Sequence, residues 1–317
     1  MNILGRIFAL CLSVFYTFNP MMTPSDKTPM KASADCRLKF IAWADPQISN
    51  YILKRDPIFV SSCEDVKNSK TKFDAMLIAG DIVENGLPCE TEHVTENLPK
   101  DNIKNFVLAT GNHDVRLHPY KQTVKRFTAF TNGLNEEIGS KLRIDALHYK
   151  TVINGYTFIV LGTDKTMFEE AYLSDSQLSW LDDSLKEASK SGKPIFVTVH
   201  QPFKKSHGLP KTWNSPTQYA GSIGAQSDAL KNVLKKYKKI ILISGHLHTG
   251  IGEYTYQNIE GIHSVNLPSL CVQNRDGRVN DHGLGFWVEV FRTKVVFHAR
   301  NFSEGKDYPN ENITIKF

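Results

Sequence analysis

The sequence predicts an α/β fold in which sheet layers are covered by helices. Short apolar runs of four to seven residues recur along the chain, and segments with helical spacing separate them. Each run also stops abruptly at polar residues able to bind metals or move protons. The run ends are therefore expected to share one edge, where open α/β sheets take their ligands.

The runs come in order. Leu38 to Ala44 stops at Asp45, Ala75 to Ala79 at Gly80-Asp81, and Phe106 to Ala109 just before Gly111-Asn112-His113-Asp114. Ile195 to Val199 stops at His200, and Ile240 to Ile243 shortly before Gly245-His246. Their richness in Ile, Val, Leu and Phe suits buried strands. Between them, Ser174 to Ser191 is the clearest helix: Leu178, Leu181, Leu185 and Ala188 share a face, Ser174 caps the start with Gln177 three residues on, and Gly192 closes the end. Pro119 to Phe130 and Gln226 to Tyr237 are weaker helical patterns. Tyr156 to Leu161, Gly285 to Phe291 and Val295 to Ala299 read as strands completing a second sheet. With no linker rich in Pro, Gly or Ser, residues 35–317 read as one domain.

Composition narrows the function classes. The 317 residues are 41% hydrophobic and 22% charged, with 20 Gly and 14 Pro, which excludes a disordered chain and a collagen. The net charge of +5 comes without an arginine-rich block, so no specific nucleic-acid partner is expected. Lys235, Lys236, Lys238 and Lys239 read as the solvated end of a helix.

Arg6, the uncharged stretch Ile7 to Phe18, Pro20 and then Ala32-Ser33-Ala34 predict a cleavable signal over residues 1–34 and a secreted or extracytoplasmic protein. The apolar stretch is too short to cross a bilayer of about 30 Å as a helix, so no transmembrane span is expected in the mature chain. Export would carry Cys36, Cys63, Cys89 and Cys271 into oxidising conditions, where two disulfides in any of three connectivities are expected, against the alternative of four buried thiols. No C-x-x-C pair offers a zinc knuckle or redox motif.

Asp45, Asp81, Asn112, His200, His246 and His248 fall at or just beyond the strand ends. Two carboxylates, an amide oxygen and three imidazoles are ligands for two divalent transition metals, with a carboxylate able to bridge and imidazole suiting Mn, Fe or Zn.

The chain resembles the calcineurin-like metallophosphoesterases. Their five blocks stand in order as Asp45-Pro46-Gln47, Gly80-Asp81-Ile82-Val83-Glu84-Asn85-Gly86, Gly111-Asn112-His113-Asp114, His200-Gln201-Pro202 and Gly245-His246-Leu247-His248. The resemblance implies a four-layer fold, two stacked mixed β-sheets flanked by helices. It implies a hydrolase of phosphate esters in which a hydroxide bridging two metals (Mn, Fe or Zn) attacks phosphorus. Asp45 and His248 would bind the first metal, Asp81 would bridge, and Asn112, His200 and His246 would bind the second. His113 would be the catalytic histidine that protonates or stabilises the leaving oxygen, oriented by Glu84 or Asp114.

The first block departs from the commoner pattern, with Gln47 where many relatives have histidine. Gln47 either ligates through its oxygen, shifting preference toward Mn²⁺, or leaves the first metal more weakly held. Arg275, Arg278 and His282 on one polar loop, and His207, Trp213 and Tyr219 on another, are the substrate-contact candidates. Glu84-Asn85-Gly86 replaces the Asp-Arg-Gly usual in the family's protein phosphatases, so a phosphodiester or nucleotide-like small molecule is the expected substrate. The alternatives are a phosphomonoesterase or protein phosphatase, a nuclease, and a non-catalytic binding protein on the same fold.

Overall fold

The computed structural model describes residues 27–213 and 219–317. Its first sheet is built on β1 (Leu38–Trp43), β2 (Ala75–Ala79) and β3 (Phe106–Ala109), which pair in parallel. Helices α1 (Asp56–Lys67) and α2 (Pro88–Asn97) connect these strands. The single turn α3 (Asn112–Val115) and the long α4 (Tyr120–Glu137) follow β3. The second sheet runs β4 (Tyr149–Ile153), β5 (Tyr156–Val160), β6 (Ile195–Thr198), β7 (Ile240–Ser244), β9 (Ile262–Asn266), β8 (Tyr256–Ile259) in spatial order. Helices α5 (Asp175–Ser189) and α6 (Ser227–Leu234) lie between its central strands in sequence.

Strands β2, β3, β5, β6 and β7 are buried at every residue. Parallel strands covered on both faces need such continuous apolar runs. Between the sheets, Phe40 of β1 meets Phe158 of β5 and Phe196 of β6 edge-on at 5.4 and 5.2 Å, while those two stack at 5.0 Å. Phe59, Val94, Phe127 and Leu134 of α1, α2 and α4 join the core of the first sheet. Leu181 and Leu185 of α5, with Leu230 and Leu234 of α6, cover Val197 and Leu242 on the outer face of the second. The result is four layers: helices, sheet, sheet, helices.

The helix predicted over Ser174 to Ser191 begins as expected, Ser174 Oγ accepting from the Gln177 N–H at 3.2 Å. One placement differs. The segments Gly285 to Phe291 and Val295 to Ala299 form β10 (Leu284–Val290) and β11 (Lys294–Asn301), but these extend the first sheet, β10 lying antiparallel to β1. Of the three later strands only Tyr156 to Leu161 enters the second sheet. A local apolar run cannot specify the sheet it joins. The short β12 (Lys306–Asp307) and β13 (Ile313–Lys316) pair with β11.

Among the described residues no helix is long and apolar enough to cross a membrane. Residues 1–26 of the expected signal lie outside the described residues. Its last part is packed: Met30 is buried, its carbonyl accepts from Thr71 Oγ1 at 3.1 Å, and Ser33 N–H donates to Glu289 at 2.6 Å. The expected disulfides are not formed. Cys63 and Cys271 are buried free thiols, Cys36 is half-buried and donates to the Leu38 carbonyl, and Cys89 is exposed. In two of these positions the thiol serves as a small apolar filler.

Candidate metal centre

The carboxyl ends of β1, β2, β3, β6 and β7 converge where the two sheets meet. The His200 Nδ1 donates to the Ala79 carbonyl at 2.7 Å, tying the end of β6 to the end of β2 across the sheets. The backbone turns sharply out of the strands here. Asp45, Gln47, Asp81, His246 and His248 all adopt positive φ, from 44° to 74°, a region seldom taken by residues with a side chain and one that clusters at functional sites.

Three glycines open the space for this turn. Gly80 has φ 95°. A Cβ on Gly111 would stand 2.1 Å from Asp81 Oδ1, and one on Gly245 would stand 2.6 Å from Asp45 Oδ2. Gly111 and Gly245 are thus required by close approach, of Asp81 and its backbone nitrogen in one case and of Ala44 and Asp45 in the other, and not by a positive φ.

Asp81 is the hub. Its Oδ1 accepts from the His113 backbone N–H at 2.8 Å, and its Oδ2 lies 3.1 Å from His200 Nε2 and 3.9 Å from His113 Nε2. Asp45 Oδ1 lies 3.1 Å from His248 Nε2 and 3.7 Å from His200 Nε2, while its Oδ2 accepts from the His246 N–H at 3.0 Å. Asn112 stands between Gly111 and His113, both in contact with Asp81. Ligand atoms of Asp81, His200 and His246 all lie within 4.8 Å of one another.

Three buried atoms in this cluster have no hydrogen-bond partner: Asn112 Oδ1, His200 Nε2 and His246 Nε2. A buried polar atom left unmet costs about 1–3 kcal/mol, so a trio around one carboxylate needs an occupant. The set of two imidazole nitrogens, one amide oxygen and one carboxylate oxygen fits a divalent transition metal. The His200 Nδ1 proton is committed to Ala79, which leaves Nε2 with the lone pair a metal requires.

The electrostatics agree. Burial opposes the charged form of His200, yet Asp81 and Asp45 draw its pKa up to about 10, so the two carboxylates favour a positive charge at Nε2, a place that a proton or a metal ion can take. The Asp81 carboxyl, although burial opposes it, is held far below its usual range by His200 and His113. His246 is pushed well below the ordinary imidazole value by burial, then by His200. Such a field favours a cation beside Asp81.

Gln47 presents its amide nitrogen, donating to Asp81 Oδ2 at 3.0 Å. An ionised carboxylate accepts only, so Gln47 here positions Asp81. Turning its amide over would bring the oxygen to that place.

Around His113, Nδ1 faces Glu84, 3.1 Å from Oε1 and 3.0 Å from the backbone carbonyl. Arg55 pairs with Glu84 Oε2, and Arg116 Nη2 lies 3.6 Å from Oε1. Burial opposes His113 protonation, but Asp81 and Glu84 raise its pKa above the ordinary value. Asp114 turns away: Oδ1 accepts from Ile82 and Val83 N–H at 3.1 Å and Oδ2 from Gly111 N–H at 2.8 Å. Burial, then the Asp81 charge, pushes its carboxyl up to about 7. It clamps the loops after β2 and β3 together and does not orient His113.

The substrate-contact candidates scatter. His207 is buried, its ring engaged by the Tyr254 carbonyl at 2.6 Å and Ser264 Oγ at 2.8 Å, so it is a core post and not a contact. Arg278 points outward, paired with Glu311 at 2.9 and 2.6 Å. His282 is partly buried beside Lys54 and Asp281. Arg275 adjoins the centre through its backbone, the N–H donating to the His248 carbonyl at 2.9 Å while its side chain is exposed.

Two more side chains stand at the centre: Glu169, which carried no motif, and Trp213, one of the substrate-contact candidates. Glu169 accepts from Asn112 Nδ2 at 3.4 Å and lies 3.7 Å from Arg116 Nη1, with its backbone carbonyl held by Gln201 Nε2 at 2.8 Å. Trp213 stacks on the His246 ring, centroids 4.5 Å apart. For Glu169 the available signal was position: residues 161–174 leave the same sheet edge as the ligand-bearing loops.

Comparison with known proteins agrees with this geometry. The family model described as calcineurin-like phosphoesterase matches residues 56–250. A 3',5'-cyclic-nucleotide phosphodiesterase of Nostoc sp. is 24% identical over 220 residues, 68% of this chain and 69% of that relative. A probable glycerophosphodiester phosphodiesterase of Arcobacter nitrofigilis is 23% identical over 186 residues, 58% of this chain and 59% of its own length, so the chain spans less than two thirds of it. Among solved structures, a dimetal phosphatase from Danio rerio superposes with TM-score 0.61 at 14% identity, covering 89% of this chain and 99% of that one. GAP50, the anchor in the inner membrane complex of Plasmodium, gives 0.53 at 12%, covering 89% and 88%. At these identities both structures show a common fold.

Proposed function

Because the chain belongs to the calcineurin-like phosphoesterase family, metal-dependent hydrolases of phosphate esters, we propose that it is a phosphodiesterase of small molecules working with two divalent ions. The observation that carries the reading is the trio of unpartnered atoms, Asn112 Oδ1, His200 Nε2 and His246 Nε2, around Asp81. These four residues would hold one ion; Asp45, His248 and Asp81, with Gln47 if its amide turns, would hold the other. Ions there would supply Lewis acidity, lower the pKa of water and neutralise charge developing on the phosphoryl oxygens.

The protein's own groups do the rest. Glu84 accepts the Nδ1 proton of His113 and fixes the ring so that Nε2 faces the Asp81 side of the centre, where a leaving oxygen would take its proton. Asp114 keeps the loops carrying Asp81 and Asn112 in register through its three backbone N–H bonds. Preference for diesters rests on Glu84-Asn85-Gly86 in the second block and on the two diesterase relatives.

Metal analysis of the reconstituted protein, with turnover on matched mono- and diesters, tests the proposal. Two equivalents of Mn, Fe or Zn and faster diester cleavage are expected. One equivalent, or none with no turnover, would overturn it. We also propose export, with the signal ending upstream of Thr28, since residues 28–33 are docked on the fold.

A further inference from the structure

We propose that Phe168 and Arg116 form a ledge that receives a planar ring of the substrate, so that the preferred diesters carry an aromatic or heteroaromatic group. The proposal rests on the phosphodiesterase reading and names which diesters that site prefers.

Among the described residues Phe168 is the most exposed large hydrophobic, at 67%. Leaving such a ring in water forgoes roughly 2 kcal/mol of burial. One side of the ring faces the Arg116 guanidinium, whose carbon lies 5.3 Å from the centroid. A face backed by a cation and otherwise open is a stacking platform.

The platform is fixed relative to the metal centre. Glu169, the next residue, touches Asn112 Nδ2, approaches Arg116 and is pinned through its backbone to Gln201. Arg116 Nη2 lies 2.9 Å from His113 Nδ1 and 3.6 Å from Glu84 Oε1, the two donors sharing the Glu84 carboxylate. The chain from catalytic candidate to exposed ring is thus short: His113, Arg116, Phe168. A ring attached to the phosphorus through a sugar or a few bonds can rest on Phe168 while its phosphate occupies the centre. An alkyl diester has no ring to place there.

The test compares wild type with Phe168→Ala and Phe168→Tyr on a cyclic nucleoside monophosphate and on glycerophosphoethanolamine, reading KM and kcat separately. Calorimetry measures binding of a nucleoside monophosphate and of glycerol phosphate. Phe168→Ala should raise KM for the nucleotide about 10-fold with kcat little changed, weaken nucleoside monophosphate binding similarly, and leave the glycerol compounds alone. Phe168→Tyr, which keeps the ring, should behave as wild type. Equal effects on both diesters, no effect on either, or wild-type binding no tighter for the nucleotide than for glycerol phosphate would overturn the ledge. Failure of the diesterase reading looks different: wild type would cleave monoesters only, and the binding comparison would still decide whether Phe168 holds a ring.

Discussion

His113 is held between two carboxylates, its Nδ1 3.1 Å from Glu84 Oε1 and its Nε2 3.9 Å from Asp81 Oδ2. That relationship separates metal binding from proton transfer. His113→Ala should retain metal content near wild type while turnover falls by roughly 10² to 10⁴, the usual worth of general acid catalysis. The loss should be much smaller on an aryl ester, whose leaving group departs as a stable anion, than on an alkyl ester. Loss of metal, or equal slowing of both ester types, would exclude the role.

Gly111→Ala should act on metal and not on the fold. Its Cβ would stand 2.1 Å from Asp81 Oδ1 and 2.4 Å from the Asp81 backbone nitrogen, so the loop after β2 or the loop after β3 must move, and the carboxylate with it. The variant is expected to keep its far-ultraviolet circular dichroism and to lose metal as Asp81→Ala does. Full metal retention would show that the loop yields without disturbing Asp81.

Trp213 should report occupancy at His246, since the two rings stack at 4.5 Å. Adding Mn²⁺ or Co²⁺ to metal-free protein is expected to quench tryptophan emission, and Trp213→Phe should abolish most of the change. Quenching that persists in the variant would place its source at Trp43, Trp180 or Trp287.

Much of the site was legible because its ligands stand where buried strands end, and fully buried parallel strands announce themselves as unbroken apolar runs. The strand ends at Asp45, Asp81, His200 and His246 were readable for that reason. Helix α1, with Ser61, Ser62, Glu64 and Asp65 in its middle, shows too weak an apolar stripe to read. The pairing of β10 with β1, and of Glu169 with Asn112, depends on tertiary contact between distant segments, which no local pattern encodes. His207 misled because a polar loop in sequence folds inward here.

Acid should destabilise the protein partly through His207. Burial pushes its imidazole down to about 4, whereas in the unfolded chain the value is about 6.5. Between these values the unfolded state binds the proton and the folded state does not, so stability is complete above about pH 6.5 and falls as the pH drops toward 4, by about 3 kcal/mol in all. His207→Gln should be less stable at neutral pH but flatter over that window. Parallel denaturation midpoints for the two proteins from pH 7 to pH 4 would remove His207 from the account.

The start of the mature chain can be located by stability. Arg300 is buried against Asp65, at 2.7 Å to both oxygens, and against Asp307 at 2.6 Å, and its Nη2 also donates to the Thr28 carbonyl at 2.8 Å. Met30 is 1% exposed in the core that includes Phe59 and Phe297. A chain beginning at Asp35 loses the Thr28 acceptor beside a buried guanidinium and empties the Met30 position, which alone costs about 2–5 kcal/mol. A chain beginning at Lys27 keeps both. The shorter protein should therefore melt several degrees lower, and N-terminal sequencing of exported material should find a start upstream of Thr28. Equal melting temperatures, together with a natural start at Asp35, would instead place the cut after Ala34.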